Sequence, residues 1–146
     1  MKVIIGNDHA ATLLKKNVCE HLKDKGIEFD DMGVAAGEKC DYPDKAKEVC
    51  EKYLAGGYDA AILICGTGVG MSMAANKIKG IRAACCSDVF SARFTRLHND
   101  ANVLCFGERV VGAGLANDLV DTFLETPFEG GRHERRVNKI MALEEN

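Results

Sequence analysis

Residues 60–70 read AAILICGTGVG. Six apolar residues, Ala60 to Cys65, run without interruption and then give way to Gly66, Thr67, Gly68, Val69 and Gly70. An apolar run of this length, closed by a turn signal, reads as a strand buried on both faces. Such strands belong to parallel sheets with helices on either side, because only there is neither face wet. The same alternation extends outward along the chain. KVIIG (2–6) is strand-like and leads into a helix near residues 10–25, where Leu13, Leu14, Val18 and Leu22 recur at helical spacing and Gly26 marks the stop. IEF (27–29) is a second short strand. Pro43 sits where a first helical turn tolerates proline, and a helix runs on to about Ala55. A third helix follows the glycine loop as far as about Lys79. IRAACC (81–86) and NVLCFG (102–107) are further strands with a short helix between them. AGLANDLVDTFLE (113–125) is helical, and so is the C-terminal segment from about Gly131. Five strands alternating with helices predict a three-layer α/β/α, Rossmann-like or flavodoxin-like fold. Its five-stranded parallel sheet carries helices on both faces and a C-terminal helix, in one domain over residues 1–146.

Composition narrows the function classes. The net charge of −3 argues against nucleic acid or a membrane surface as partner. No apolar run approaches the roughly 20 residues needed to span a bilayer, and the start, MKVIIGNDH, turns polar too soon for a signal peptide. The seven cysteines are Cys19, Cys40, Cys50, Cys65, Cys85, Cys86 and Cys105; their number is odd and no pair has C-x-x-C spacing. This predicts neither a disulfide framework nor a zinc site, and it suits a reducing cytoplasm. Cys85 and Cys86, inside a strand-like run, read as small buried hydrophobes. His9, His21, His98 and His133 are scattered, with no H-x-H, H-x-x-x-H or carboxylate cluster, so no metal is expected. His21, in mid-helix, reads as a surface residue.

In parallel sheets ligands bind beyond the carboxyl ends of the strands. The first strand is followed by Asn7, Asp8 and His9, and the second by a loop carrying Asp41, Tyr42, Pro43 and Asp44. Cys65 and the glycines follow the third; Gly107, Glu108 and Arg109 follow the fifth. The fold therefore gathers these residues on one rim. The glycine loop lacks the lysine of a P-loop and has the wrong spacing for G-x-G-x-x-G, although Asp88 lies about 20 residues on, where a ribose-binding carboxylate stands. Three glycines before a helix let backbone N–H groups face an anion or a developing oxyanion. A thiolate placed there is either a nucleophile or a base. A nucleophile needs an activating histidine and a group to orient it; His98 is a candidate, but no orienter is evident. A base suits removal of a proton next to a carbonyl, with the loop holding the enediolate oxygen. Arg132 and Arg136, four residues apart on a helix, suit a phosphate, and a solvated basic helix end explains them equally well.

The blocks DHA (8–10), DYPD (41–44), CGTGVG with AANK (65–70, 74–77), HNDANVL (98–104) and GGRHERRV (130–137) resemble, in order and over nearly the whole chain, the type B ribose-5-phosphate isomerases of the RpiB/LacAB sugar-phosphate isomerase family. The resemblance implies an aldose–ketose isomerase, interconverting ribose 5-phosphate and ribulose 5-phosphate in the pentose phosphate pathway. In it Cys65 is the base between C1 and C2, while Thr67 and His98 assist ring opening. The backbone of Gly66, Thr67, Gly68, Val69 and Gly70 forms the enediolate site. Asp8 and Asn99 contact sugar hydroxyls, and Tyr42 lines the pocket. His9, Arg109, Arg132 and Arg136 surround the phosphate. The resemblance further implies a homodimer, or a tetramer of dimers, with sites shared between subunits and no cofactor. One branch of the family replaces the thiol by a glutamate just after the last glycine; here that position is Met71, which leaves Cys65 as the base. The residue after DHA is Ala11, where the family usually has glycine, and Thr12 and Leu13 also replace commoner residues. A six-carbon substrate such as allose 6-phosphate, and a phosphate- or nucleotide-binding module without chemistry, are the alternatives.

Overall fold

The computed structural model describes residues 1–145. Strand β3 (Ala60–Cys65) is the centre of the sheet. It pairs in parallel with β1 (Lys2–Asn7) on one side and β5 (Val103–Gly107) on the other. Short strands close the edges: β2 (Glu28–Asp31) beside β1 and β4 (Ala83–Cys85) beside β5, giving the order β2-β1-β3-β5-β4. The helices are α1 (Thr12–Asp24), α2 (Tyr42–Leu54), α3 (Val69–Ala75), α4 (Val89–Asn99), α5 (Ala113–Glu125) and α6 (Arg132–Ala142). Three-layer architecture and all-parallel pairing match the expectation.

The apolar run of β3 divides by alternation. Ile62 and Ile64 enter one core with residues of α1, α4 and α5; Ala61, Leu63 and Cys65 enter the other with residues of α2 and α3. β1 and β5 divide the same way, with Val3 and Ile5 opposite Ile4, and Leu104 and Phe106 opposite Val103 and Cys105. After β1 the chain turns toward one edge of the sheet, and after β3 toward the other. Right-handed crossovers then send the intervening helices to opposite faces and open a crevice between the carboxyl ends of β1 and β3.

The edges differ from the sequence reading. β2 spans 28–31 instead of 27–29, and its polar residues blunt an edge that packs on one side only. The third helix stops at Ala75, short of Lys79: beyond it the Lys77 and Ile78 N–H groups bond three residues back, and the Asn76 side chain pairs with the Ala83 backbone in both directions, at 2.8 and 2.9 Å. β4 is correspondingly shorter than 81–86. Cys86 is buried, but Cys85 is exposed at the edge and is not a core residue. His21 is more than a surface residue: its Nε2 lies 2.7 Å from Asp121 Oδ1, joining α1 to α5. Ala11 has φ −134°, which any L-residue can adopt, and its methyl is fully buried in the core, so the backbone there has no need of glycine.

Helix α1 has no side-chain cap of its own at Ala11. Its orphan Leu14 N–H donates instead to Glu108 Oε1 at 2.6 Å, across from the end of β5. This contact ties the start of α1, next to Asp8 and His9, to the loop that carries Arg109. Glu108→Ala should therefore lower stability by about 1–2 kcal/mol. Glu108→Gln, which keeps an acceptor, should recover most of the loss, as read from urea unfolding midpoints.

Candidate active site

The glycine loop lies flat against the end of β5. Gly68 has φ +84°, and a Cβ there would stand 2.7 Å from the Phe106 backbone. A Cβ on Gly107 would collide with the Thr67 backbone. Two further bonds fasten the loop: Glu108 N–H to Cys65 O and Arg109 N–H to Gly66 O, both 3.0 Å. The approach turns the Gly68 N–H onto Cys65 Sγ at 3.1 Å. The sulfur is thereby an acceptor held in a fixed direction. Cys65 is 5% exposed and reaches the floor of the crevice. Among the other thiols, burial pushes Cys50 up to about 12, and Cys19 and Cys86 up to about 11.

The loop offers fewer free amides than its sequence suggests. Gly68 N–H is committed to sulfur and Val69 N–H to Thr67 Oγ1 at 3.2 Å. The first i→i−4 bond of α3 is Ser72 N–H to Gly68 O. Gly70 and Met71 therefore have amides without an intrahelical acceptor, and Gly70 lines the crevice. Tyr42 covers Gly70 so closely that a Cβ there would meet the ring at 2.7 Å. The Met71 side chain is wholly buried.

The opposite wall comes from β1. Asp8 is 6% exposed and accepts from Ala10 N–H at 3.0 Å. Asn7, fully buried, holds the 33–41 loop by bonds to both Val34 N–H and Val34 O. His9 Nδ1 lies 3.1 Å from Cys40 O. A carbonyl can only accept, so this nitrogen carries a proton and Nε2 is left for a ligand. Arg109 rests beside Gly66, its guanidinium 3.6 Å from where a Cβ would be. Asp8, His9, Tyr42, Cys65, Gly66, Thr67, Val69, Gly70 and Arg109 thus share one open cleft of about 660 Å³, with Gly68 directly beneath. Ala10, Cys40, Asp41 and Met73 also line it. Asp41 was visible in the DYPD loop, whereas nothing in the sequence marked Met73 or Cys40.

The remaining predicted residues lie elsewhere on the same chain. His98 and Asn99, at the end of α4, line a second concavity with Cys85, Phe90 and Phe94. Thr67, on the first cleft, touches Cys85, on the second: its carbonyl lies 3.8 Å from Cys85 Sγ. Arg132 and Arg136 are exposed on α6 and line neither concavity. Among the described residues no carboxylate pairs with Arg109, Arg132 or Arg136, whereas Arg82 and Arg96 are both tied to Asp100. The structure also supplies what the sequence did not show beside His98. Glu129 and His133 close around it, with ligand-capable atoms of all three within 4.8 Å of one another.

The ribose/galactose isomerase family profile matches residues 3–140. The chain is 49% identical over 144 residues to ribose-5-phosphate isomerase B of Escherichia coli, covering 99% of this chain and 97% of that protein. The chain belongs to the ribose/galactose isomerase family. Its fold superposes on ribose-5-phosphate isomerase B of Clostridium thermocellum with a TM-score of 0.96 at 50% identity, covering 99% of this chain and 98% of that one. It likewise matches the Mycoplasma genitalium ribose-5-phosphate isomerase B solved with bound ribulose-5-phosphate, with a TM-score of 0.92 at 44% identity, covering 99% of this chain and 97% of that one.

A methyl group at position 68 would face both a left-handed backbone and the Phe106 main chain. Gly68→Ala should cost about 3 kcal/mol of stability, measurable by chemical denaturation. It should also slow alkylation of Cys65 relative to Cys85, because the amide no longer meets the sulfur.

Proposed function

We propose that this chain is an aldose–ketose isomerase that interconverts ribose 5-phosphate and ribulose 5-phosphate by proton transfer through an enediolate. The observation that carries this reading is the Cys65 sulfur, held under the Gly68 amide at the floor of a cleft rimmed by Asp8, His9 and Arg109. In the open-chain aldose the thiolate takes the proton from C2. The electron pair moves into the C1–C2 bond and the C1 oxygen becomes negative. Free amides at the start of α3, Gly70 foremost, face that oxygen and stabilise it. The thiol then returns the proton to C1 while the C2 hydroxyl proton passes to the oxygen on C1. His9 Nε2 and the guanidinium groups hold the phosphate, and this remote binding orients the reacting end. No metal or organic cofactor takes part in these steps.

Ribose 5-phosphate is mainly a closed ring, so an earlier step must open it. The C1–O bond of the ring breaks, the ring oxygen gains a proton and the C1 hydroxyl loses one. We assign the donated proton to His98, with Thr67 assisting. In one chain His98, Asn99, Arg132 and Arg136 stand outside the Cys65 cleft, and the second concavity is a separate surface. We therefore read the assembly as a homodimer, or a pair of dimers, in which one subunit supplies the thiol cleft and the other supplies His98, Asn99 and the α6 arginines. The setting that suits seven free thiols is the cytoplasm.

Cys65→Ala should lower kcat on ribose 5-phosphate by about 10³-fold and abolish deuterium uptake at C1 of the ketose in heavy water, with phosphate affinity kept. Undiminished turnover would sink the thiol's role. Comparing kcat/KM on ribose 5-phosphate and allose 6-phosphate fixes substrate length, and the pentose should be preferred.

A mixing experiment tests the shared site. Cys65→Ala and the double variant Arg132→Ala/Arg136→Ala should each be inactive alone. Dissociated together and reassociated, half the dimers are hybrids with one intact site of two, so roughly a quarter of wild-type activity should return. No recovery would show that each chain builds its site alone.

A further inference from the structure

The His98 ring is held from three sides. Its face stacks on His133, with centroids 3.9 Å apart and planes 9° apart. Its edge meets Phe94 at 5.0 Å. Its Nε2 lies 3.7 Å from Glu129 Oε2. Glu129 is anchored by its own backbone, whose N–H donates 3.1 Å to Leu97 O, one residue before His98. The other Glu129 oxygen lies 3.9 Å from His133 Nε2, a buried atom without a hydrogen-bond partner. Three parts of the chain, α4, the 126–131 connection and the first turn of α6, thus converge on one imidazole.

The trio is not shaped for a metal. A cation bound in the usual way sits about 2.0–2.1 Å from each imidazole nitrogen and along its in-plane lone pair. Parallel stacked rings run those lone pairs side by side, so a shared ion would lie far out of both ring planes.

We propose that Glu129 and His133 are positioning residues for the ring-opening step. His133 fixes the plane of the His98 imidazole, and the Glu129 carboxylate fixes its direction. This rests on the role assigned to His98 above. Each Glu129 oxygen faces one of the two nitrogens, and the nearer approach is the one to His98. Burial, followed by the charges of His98 and Arg132, lowers the proton affinity of His133, and Arg136 adds to this while Glu129 opposes it. This disfavours an ion pair at His133 and leaves the nearer contact, at His98 Nε2, as the one the carboxylate serves. The orienting group that a histidine acid requires, absent from the sequence motifs, comes from the segment before the α6 arginines.

The test exploits a difference between the two substrates. Ribulose 5-phosphate has its C5 oxygen blocked by phosphate and stays open-chain, so exchange of its C1 hydrogen with solvent needs the thiol but no ring opening. Conversion of ribose 5-phosphate needs both. Glu129→Gln and His133→Ala should each lower ribose 5-phosphate turnover about tenfold while leaving C1 exchange in the ketose within about twofold of wild type. His133→Phe, which keeps a flat face of similar size, should recover most of the turnover lost in His133→Ala. Unchanged turnover in Glu129→Gln, or turnover and exchange falling in the same proportion, would overturn the proposal. His98→Asn separates the two levels: if it turns over ribose 5-phosphate normally, the role of His98 itself fails, whatever the Glu129 variant does.

Discussion

Everything at the site depends on how close one loop comes to one strand. The backbone at Gly68 sits where a side chain would overlap Phe106, and the Thr67 backbone sits where a side chain on Gly107 would be. Two glycines facing each other across this contact let the chain leave β3, fold back over β5 and start a helix within three residues. The same fold-back brings the Gly68 amide onto the Cys65 sulfur. Chain path and sulfur chemistry are therefore one constraint. A bulkier residue at either glycine would lift the loop and take the donor away from the sulfur. The bonds from Glu108 and Arg109 to the carbonyls of Cys65 and Gly66 make the fold-back rigid, and they carry Arg109 to the rim.

This arrangement was legible in the sequence where the physics is local. The apolar run of β3, its glycines and the 3.6-residue spacing of α1 each follow from nearest-neighbour chemistry, and each was found where expected. Edges were less legible. Of 81–86 only Ala83–Cys85 is strand, and it begins where the Asn76 side chain pairs with Ala83, a contact that no periodicity encodes. The cap of α1 comes from Glu108, 94 residues further along the chain, and no capping signature precedes the helix. Cys85 reads as core by pattern and is exposed because β4 is an edge strand that ends there.

The cleft residues divide along the same line. Asp8, His9, Cys65 and Arg109 follow successive strand ends, so topology alone assembles them. His133, in the sequence one of four scattered histidines, forms the buried face of α6 together with Val137. Its ring reaches His98 because α6 packs on α4. The amide count is another case: five residues of glycine loop suggest a broad anion site, but two of the N–H groups are committed within the loop itself.

Cationic side chains show what the fold keeps fixed and what it keeps free. Asp100 ends α4 in the left-handed region, with φ +47°, a conformation that aspartate tolerates better than most residues. Arg82 and Arg96 both reach its carboxylate, and each also donates to a backbone carbonyl, of Asp100 and Ala101 respectively. These two arginines fix the end of α4, and with it the position of His98 and Asn99. Arg109, Arg132 and Arg136 are paired with no carboxylate among the described residues. An unpaired guanidinium at a surface stays hydrated and available, and one already held by aspartate would have to break that bond before gripping a phosphate. Thus the arginines around Asp100 serve the helix end they hold. Arg93 and Arg135 are likewise unpaired among the described residues, so freedom alone selects no site; Arg109 is set apart because the fold-back bonds carry it to the rim of the cleft.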